Sequence, residues 1–345
     1  MTAKRTDIAD LGAVKLLDRI AAAFPTSQPS TLSGTGNDAA VINNSGKQTV
    51  VATSLMLEGV HFDLTYTPLK HLAYKATVAA VNKIYAMNAA PAQLMLSLGV
   101  SQRFAVEDIE EITGGVAAAC SRYRLDLAGI DISSSFTGLT IGVTAVGAVE
   151  ADKVVTRSGG KPTDLLCLTG NLGAAYMGLQ LLRREKTVFE ANSNAQPQLE
   201  GYNYILQRYL KPEARQEIFN LLADNHVIPT AMISLANGLA SDTMQLCKAS
   251  NCGVRIYLER LPVASETFRM AEEMNFDAVT AALNGGDDYE LLFTVPLDLH
   301  EVILKEFQGV DIIGHLCDAA EGNYLITPDN QAVELKAQGW DAGNE

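Results

Sequence analysis

Cysteine is scarce in this chain: five residues among 345, at Cys120, Cys167, Cys247, Cys252 and Cys317. The count is odd, no Cys-x-x-Cys occurs, and no histidine neighbours Cys247 or Cys252. Neither a disulfide framework nor a cysteine zinc site is expected, and the thiols read as buried or incidental. Positive charge is also short: 26 Lys and Arg stand against 40 Asp and Glu, a formal net charge of −14. That balance argues against a nucleic-acid or acidic-membrane surface, while leaving a local nucleotide pocket open. No apolar run approaches the roughly 18 residues of a membrane span. Met1-Thr2-Ala3-Lys4-Arg5 leads into polar residues rather than an apolar signal core, so a reducing cytoplasm is expected. A Walker A lysine motif is missing, as is a full Gly-x-Gly-x-x-Gly after a strand, which disfavours P-loop and Rossmann nucleotide sites.

Apolar residues are plentiful, at 48% of the chain, enough for two buried cores. Periodicity predicts helices over 11–24, 68–87 and 106–123, and strands over 50–53, 93–100, 125–130 and 139–149. Thr156-Arg157-Ser158-Gly159-Gly160-Lys161-Pro162 is rich in turn formers, which places a domain boundary near 150 and gives domains 1–150 and 151–345. Beyond it the pattern predicts a strand over 165–169, a helix over 174–185 and a polar loop over 190–201. Helices near 202–225 and 238–250 follow, with strands near 253–258, 290–295 and 311–315. Strands and helices alternate without a single doubly wound order, so mixed α/β and α+β both stand.

Several groups carry potential chemistry. Gly34-x-Gly36 before Asn37-Asp38 is either a backbone nest for phosphate or metal, or an ordinary turn. Gly170-x-x-Gly173 before a helix either offers a helix N-terminus to an anion or serves close packing. His61 after Glu58-Gly59-Val60, and the acids Asp287, Asp288 and Glu290, suit a polar substrate or cation; a structural histidine and a solvated turn explain them equally. Lys83 shares a helix face with Ala76, Ala80 and Met87. An ammonium on an apolar stripe either snorkels at its edge or faces an anion.

Taken together, Glu58-Gly59-Val60-His61-Phe62 and Asn284-Gly285-Gly286-Asp287-Asp288-Tyr289 resemble the thiamine-monophosphate kinases, of the aminoimidazole-ribonucleotide-synthetase-like superfamily. The motif order agrees along nearly the whole chain. The resemblance implies a two-domain fold whose N-terminal α/β domain dimerises through its sheet, followed by a C-terminal α/β domain. It implies ATP as co-substrate, Mg²⁺ as metal and a small phosphate ligand as partner. Gly129, Asp131 and Arg157 match nucleotide-contacting positions. His61, Asp287 and Trp340 match substrate-contacting ones, and Asp38, Thr53 and Asp131 metal-site ones.

Departures from the family pattern point one way. Ser54, Lys83, Ser234 and Asn237 stand where the family has metal-binding aspartates, and Ala236 stands where it has serine. Three of these changes remove a negative charge and Lys83 exchanges one for a positive charge. Magnesium prefers hard anionic oxygens, so weak metal binding is expected, with Lys83 acting as a fixed cation in the cleft between domains. Two functions remain in view. One is ATP-dependent phosphorylation of thiamine monophosphate to thiamine diphosphate, with impaired turnover. The other is a catalytically inactive, dimeric relative that binds phosphorylated ligands.

Overall fold

The computed structural model of the protein describes residues 13–33, 41–192 and 196–337. Asp38, with its glycine loop, and Trp340 lie outside the described residues. The chain forms two compact units, one of Met1–Ile84 with Ala89–Asp152, the other of Tyr85–Asn88 with Lys153–Glu345.

In the first unit, helix α1 (Ala13–Ala22) and short strands β1 (Thr31–Ser33) and β2 (Val41–Ile42) precede β3 (Gln48–Leu57). Helix α2 (Leu69–Tyr85), β4 (Ala90–Val100), α3 (Val106–Tyr123), β5 (Asp126–Ser134) and β6 (Thr140–Val149) follow. The sheet runs β3-β6-β4-β5. Strand β3 pairs antiparallel with β6 along its full length, from Gln48↔Val149 to Leu57↔Thr140. Strands β4 and β5 pair in parallel, as a crossover through α3 requires.

Pro68 opens α2 because its missing N–H and fixed φ suit a first helical turn; its carbonyl accepts from Leu72 N–H at 2.9 Å. Asp108 Oδ2 accepts the Ala105 N–H at 2.8 Å and caps α3. The two helices approach so closely that a Cβ on Gly115 would fall 2.1 Å from the Lys70 carbonyl oxygen, whereas one on Gly114 would meet nothing within 4 Å. Gly115→Ala is therefore expected to destabilise the fold by roughly 1–3 kcal/mol through overpacking. Gly114→Ala should instead stabilise it by up to about 1 kcal/mol through helix propensity. Urea midpoints of the two variants check this, and a stabilising Gly115→Ala would contradict the packing.

The second unit continues with β7 (Leu165–Thr169), α4 (Ala174–Ala191), α5 (Asn203–Leu210), α6 (Gln216–Asp224) and β8 (Ala231–Leu235). Next come α7 (Leu239–Ser250), β9 (Cys252–Tyr257), α8 (Ser265–Glu273), α9 (Ala278–Asn284), β10 (Glu290–Val295), α10 (His300–Glu306), β11 (Val310–Asp318), β12 (Asn323–Ile326) and β13 (Ala332–Glu334). The sheet order is β13-β12-β9-β11-β7-β10-β8. Leu166, Leu168, Ile233, Leu246, Val254 and Leu292 belong to its apolar core.

Helix α4 runs past the expected 185 to Ala191, with Lys186 and Glu190 paired across one turn at 3.6 Å. Strands β8, β12 and β13 were not expected from the pattern. Of these, β8 is almost wholly buried, so it shows no polar alternation. All five cysteines are buried and unbridged. Among the described residues, no helix is long and apolar enough to cross a membrane.

Candidate functional site

In the first unit, the candidate residues gather on β3 and α2. Thr53 and Ser54 lie on β3, and Lys83, near the end of α2, reaches back to donate its Nζ to the Thr53 carbonyl oxygen at 2.7 Å. Lys83 is half-buried rather than extended into solvent. At the far end of β3, His61 sits in a tight turn: Gly59 takes φ +79°, a conformation suited to glycine, and its N–H bonds the Phe62 carbonyl at 2.8 Å. His61 itself is exposed, and its Nδ1 accepts the Leu57 N–H at 3.1 Å. Glu58 fastens this turn by accepting from Leu139 N–H at 2.8 Å and from the Arg103 guanidinium.

Gly129 and Asp131 lie across the sheet on β5. Register links Thr53 to Thr144, Thr144 to Met95 and Met95 to Gly129. Three strand spacings thus separate Thr53 from the β5 residues, roughly 14 Å along the sheet. Among the described residues, no group of three or more His, Cys, Asp or Glu is arranged to hold a metal ion.

In the second unit, Ser234, Ala236, Asn237, Asp287 and Arg157 are brought together by hydrogen bonds and register. Ser234 pairs across β8 and β10 with Leu291. Asp287, at φ +59°, donates its N–H to the Ala236 carbonyl at 3.0 Å, and Tyr289 O–H donates to Asp287 Oδ1 at 3.0 Å. Asp242, which the sequence did not single out, organises the loop after β8. Its Oδ2 accepts the N–H groups of Ala236 and Asn237 at 2.8 and 2.9 Å, and its Oδ1 accepts Asn237 Nδ2 at 2.9 Å. Burial raises its pKa against these donors. Gln245 extends the chain, donating to Asp242 Oδ1 at 3.2 Å and accepting Arg157 Nη1 at 2.6 Å. A relay Arg157–Gln245–Asp242–Asn237 therefore fixes the guanidinium. The i, i+3 spacing of Asp242 and Gln245 after Gly238 was the available signal.

The other two acids of the glycine-rich motif are structural. Asp288 and Glu290 are buried, not part of a solvated turn or an open cation site. Asp288 Oδ2 accepts the Gly173 N–H at 2.9 Å at the start of α4. The helix N-terminus after Gly170-x-x-Gly173 thus does meet an anion, supplied by the chain itself. Glu290 accepts from Arg208 Nη2 at 2.7 Å, from Arg215, and from Thr169 Oγ1 at 2.6 Å.

Burial pushes the Asp288 carboxyl up to about 6, against the pull of Arg208 and the Gly173 N–H. The unfolded carboxyl, near its ordinary 3.8, releases its proton earlier than the folded one. This contribution to stability is consequently present at low pH and lost as pH rises toward about 6. Asp288→Asn is expected to flatten that part of the profile. The check compares the change in urea midpoint between about pH 4 and pH 6.5 in variant and parent; equal changes would refute it.

Residues 36–149 match the family model for the AIR synthase related protein, N-terminal domain, which places that stretch in that class. Over 316 residues it is 32% identical to the thiamine-monophosphate kinase of Escherichia coli (strain K12), covering 89% of this chain and 91% of that protein. The crystal structure of thiamine-monophosphate kinase from Stenotrophomonas maltophilia K279a superposes with a TM-score of 0.78 at 26% identity, covering 92% of this chain and 96% of that one. AaThiL complexed with AMPPCP and TMP gives 0.72 at 26% identity, covering 97% and 98%. The chain belongs to the thiamine-monophosphate kinase family.

Proposed function

We propose that this chain keeps a phosphate-ligand site of the thiamine-monophosphate kinase type but transfers phosphate from ATP to thiamine monophosphate only slowly. The relatives' name, and a solved relative complexed with AMPPCP and TMP, support ATP and thiamine monophosphate as its ligands. One observation carries the reduced turnover: the Lys83 ammonium bonded to the Thr53 carbonyl at 2.7 Å. A magnesium ion beside that ammonium meets like-charge repulsion, and Ser54 next to it offers a neutral hydroxyl where the metal wants a carboxylate. The residues present do not fit a magnesium cluster.

The ammonium instead serves as a fixed point charge that contacts phosphate. Within the second unit, Gln245 holds the Arg157 guanidinium, whose planar fork suits a nucleotide phosphate. His61 and Asp287 are the groups assigned to thiamine monophosphate. Binding survives in this arrangement, whereas charge on the transferred phosphoryl oxygens is poorly offset in the transition state, which slows transfer. A homodimer through the N-terminal sheet belongs to the same reading. Val51 and Leu55, exposed at 59% and 55% on one face of β3, support it.

Two measurements test this reading. In a coupled assay with thiamine monophosphate, ATP and magnesium, turnover is expected roughly 100-fold or more below that of the Escherichia coli relative run alongside. Lys83→Ala is expected to weaken binding of AMPPCP or thiamine monophosphate by about 1.5–3 kcal/mol, the range for a charged hydrogen bond. Comparable turnover, or unaltered binding by Lys83→Ala, would sink the reading. Undetectable turnover with intact binding would make the chain a pure binding protein.

A further inference from the structure

A cavity of about 770 Å³ opens beside α7 within the second unit. Its size lies in the range of sites for small organic ligands. Ser241, Met244 and Lys248 contribute from one face of α7, at spacings of three and four residues; Asn323 of β12, Cys252 and Arg157 complete the parts that matter here. Among the described residues assigned by resemblance, Arg157 alone lines it.

Two features of the wall point to a ligand. Ser241 is 8% exposed, and its Oγ is buried without a hydrogen-bond partner among the described residues. Asn323 Oδ1 is in the same condition. Buried polar atoms are nearly always paired, so two orphans in one cavity wall call for a partner that the described residues do not supply. The charge is equally one-sided. Lys248, which is exposed, and Arg157 both line the cavity, and among the described residues the lining includes no carboxylate. Met244 and the buried Cys252 add an apolar floor.

We propose that this cavity binds a small organic oxyanion, an apolar or aromatic body bearing a phosphate or carboxylate, separately from the site at Thr53 and Lys83. Lys248 holds the anionic head, and Arg157, whose Nη1 is already bonded to Gln245, adds positive charge to the same wall. Met244 and Cys252 pack on the body, and a polar group of the ligand satisfies Ser241 or Asn323. The inference stands on the second unit alone and does not require the proposed kinase chemistry.

Titration calorimetry of the full chain carrying Lys83→Ala, which disables the phosphate contact on α2, tests it with three probes. Phenyl phosphate and benzoate carry the head and body; benzyl alcohol carries the body alone. Saturable binding of one equivalent is expected for phenyl phosphate or benzoate, and whichever binds more tightly identifies the head. Benzyl alcohol should bind roughly tenfold or more weakly, and adding Lys248→Gln should cost a similar factor. Ser241→Leu, which fills the wall, should abolish binding. Lys248 is exposed, so its variant folds and keeps the test valid even if Ser241→Leu does not. Equal affinity in the Lys248→Gln protein, no preference over benzyl alcohol, or no saturation at millimolar concentration would each overturn the proposal. So would a crystal structure grown with phenyl phosphate that shows ordered water alone on Ser241 and Asn323.

Discussion

Replacing Glu290 by glutamine is expected to lower the unfolding free energy of the second unit by about 3–5 kcal/mol, the cost of removing one partner from a buried ion pair. The carboxylate is fully buried at the start of β10 and neutralises two arginines at once, Arg208 and Arg215. Burial works to lower the pKa of both guanidiniums, and Glu290, joined by Asp288 at Arg208 and by Glu217 at Arg215, more than offsets it. Without that charge, Arg208 keeps Asp288, whose Oδ1 stands 3.8 Å from its Nη2, and Arg215 the exposed Glu217, whose Oε1 stands 3.2 Å from its Nη1. Glutamine would keep the shape and the Thr169 contact, so the loss isolates charge rather than volume. Urea unfolding at constant slope measures it. A loss below about 1 kcal/mol would show that water or relaxation replaces the carboxylate.

Restoring aspartate at all four altered positions, Ser54→Asp, Lys83→Asp, Ser234→Asp and Asn237→Asp, is expected to raise turnover by roughly 100-fold or more with magnesium present. Lys83→Asp alone should not, because it removes the ammonium from Thr53 without rebuilding the other three acids. The combined variant also carries a structural signature. Asn237 Nδ2 now donates to Asp242 Oδ1 at 2.9 Å; an aspartate there would set two carboxylates in contact. That repulsion raises the pKa of one of them unless a cation intervenes. The fourfold variant should therefore melt lower than the parent in chelator and recover with magnesium, a dependence the parent lacks. Turnover unchanged by the four acids, with magnesium-dependent melting in place, would move the cause of slow chemistry away from the metal positions.

Much of the frame was legible from local pattern. Helix α3 over Val106–Tyr123 and strand β7 over Leu165–Thr169 fall where periodicity puts them, since one is amphipathic and the other is a compact apolar run bounded by turn formers. Almost wholly buried β8 and the short strands β12 and β13 carry no such alternation. At the site, residue types could be lined up but their partners could not. Lys83 meets Thr53 thirty positions away, and Glu290 meets Arg208 and Arg215 at separations of 82 and 75. No window of sequence holds both ends of those pairs. Asp288 shows the consequence: read beside its neighbours it is a surface acid, whereas the fold makes it the anion of a helix 115 positions earlier.

The buried thiols make a built-in clock. Burial raises Cys120 in the first unit, and Cys167 and Cys247 in the second, to about 12. At neutral pH only about one in 10⁵ of each is the reactive thiolate. Alkylation of these positions therefore waits on opening events that expose them to water. Because Cys120 and Cys167 sit in different units, the two alkylation rates time the breathing of each unit separately, in one tube and without an engineered cysteine.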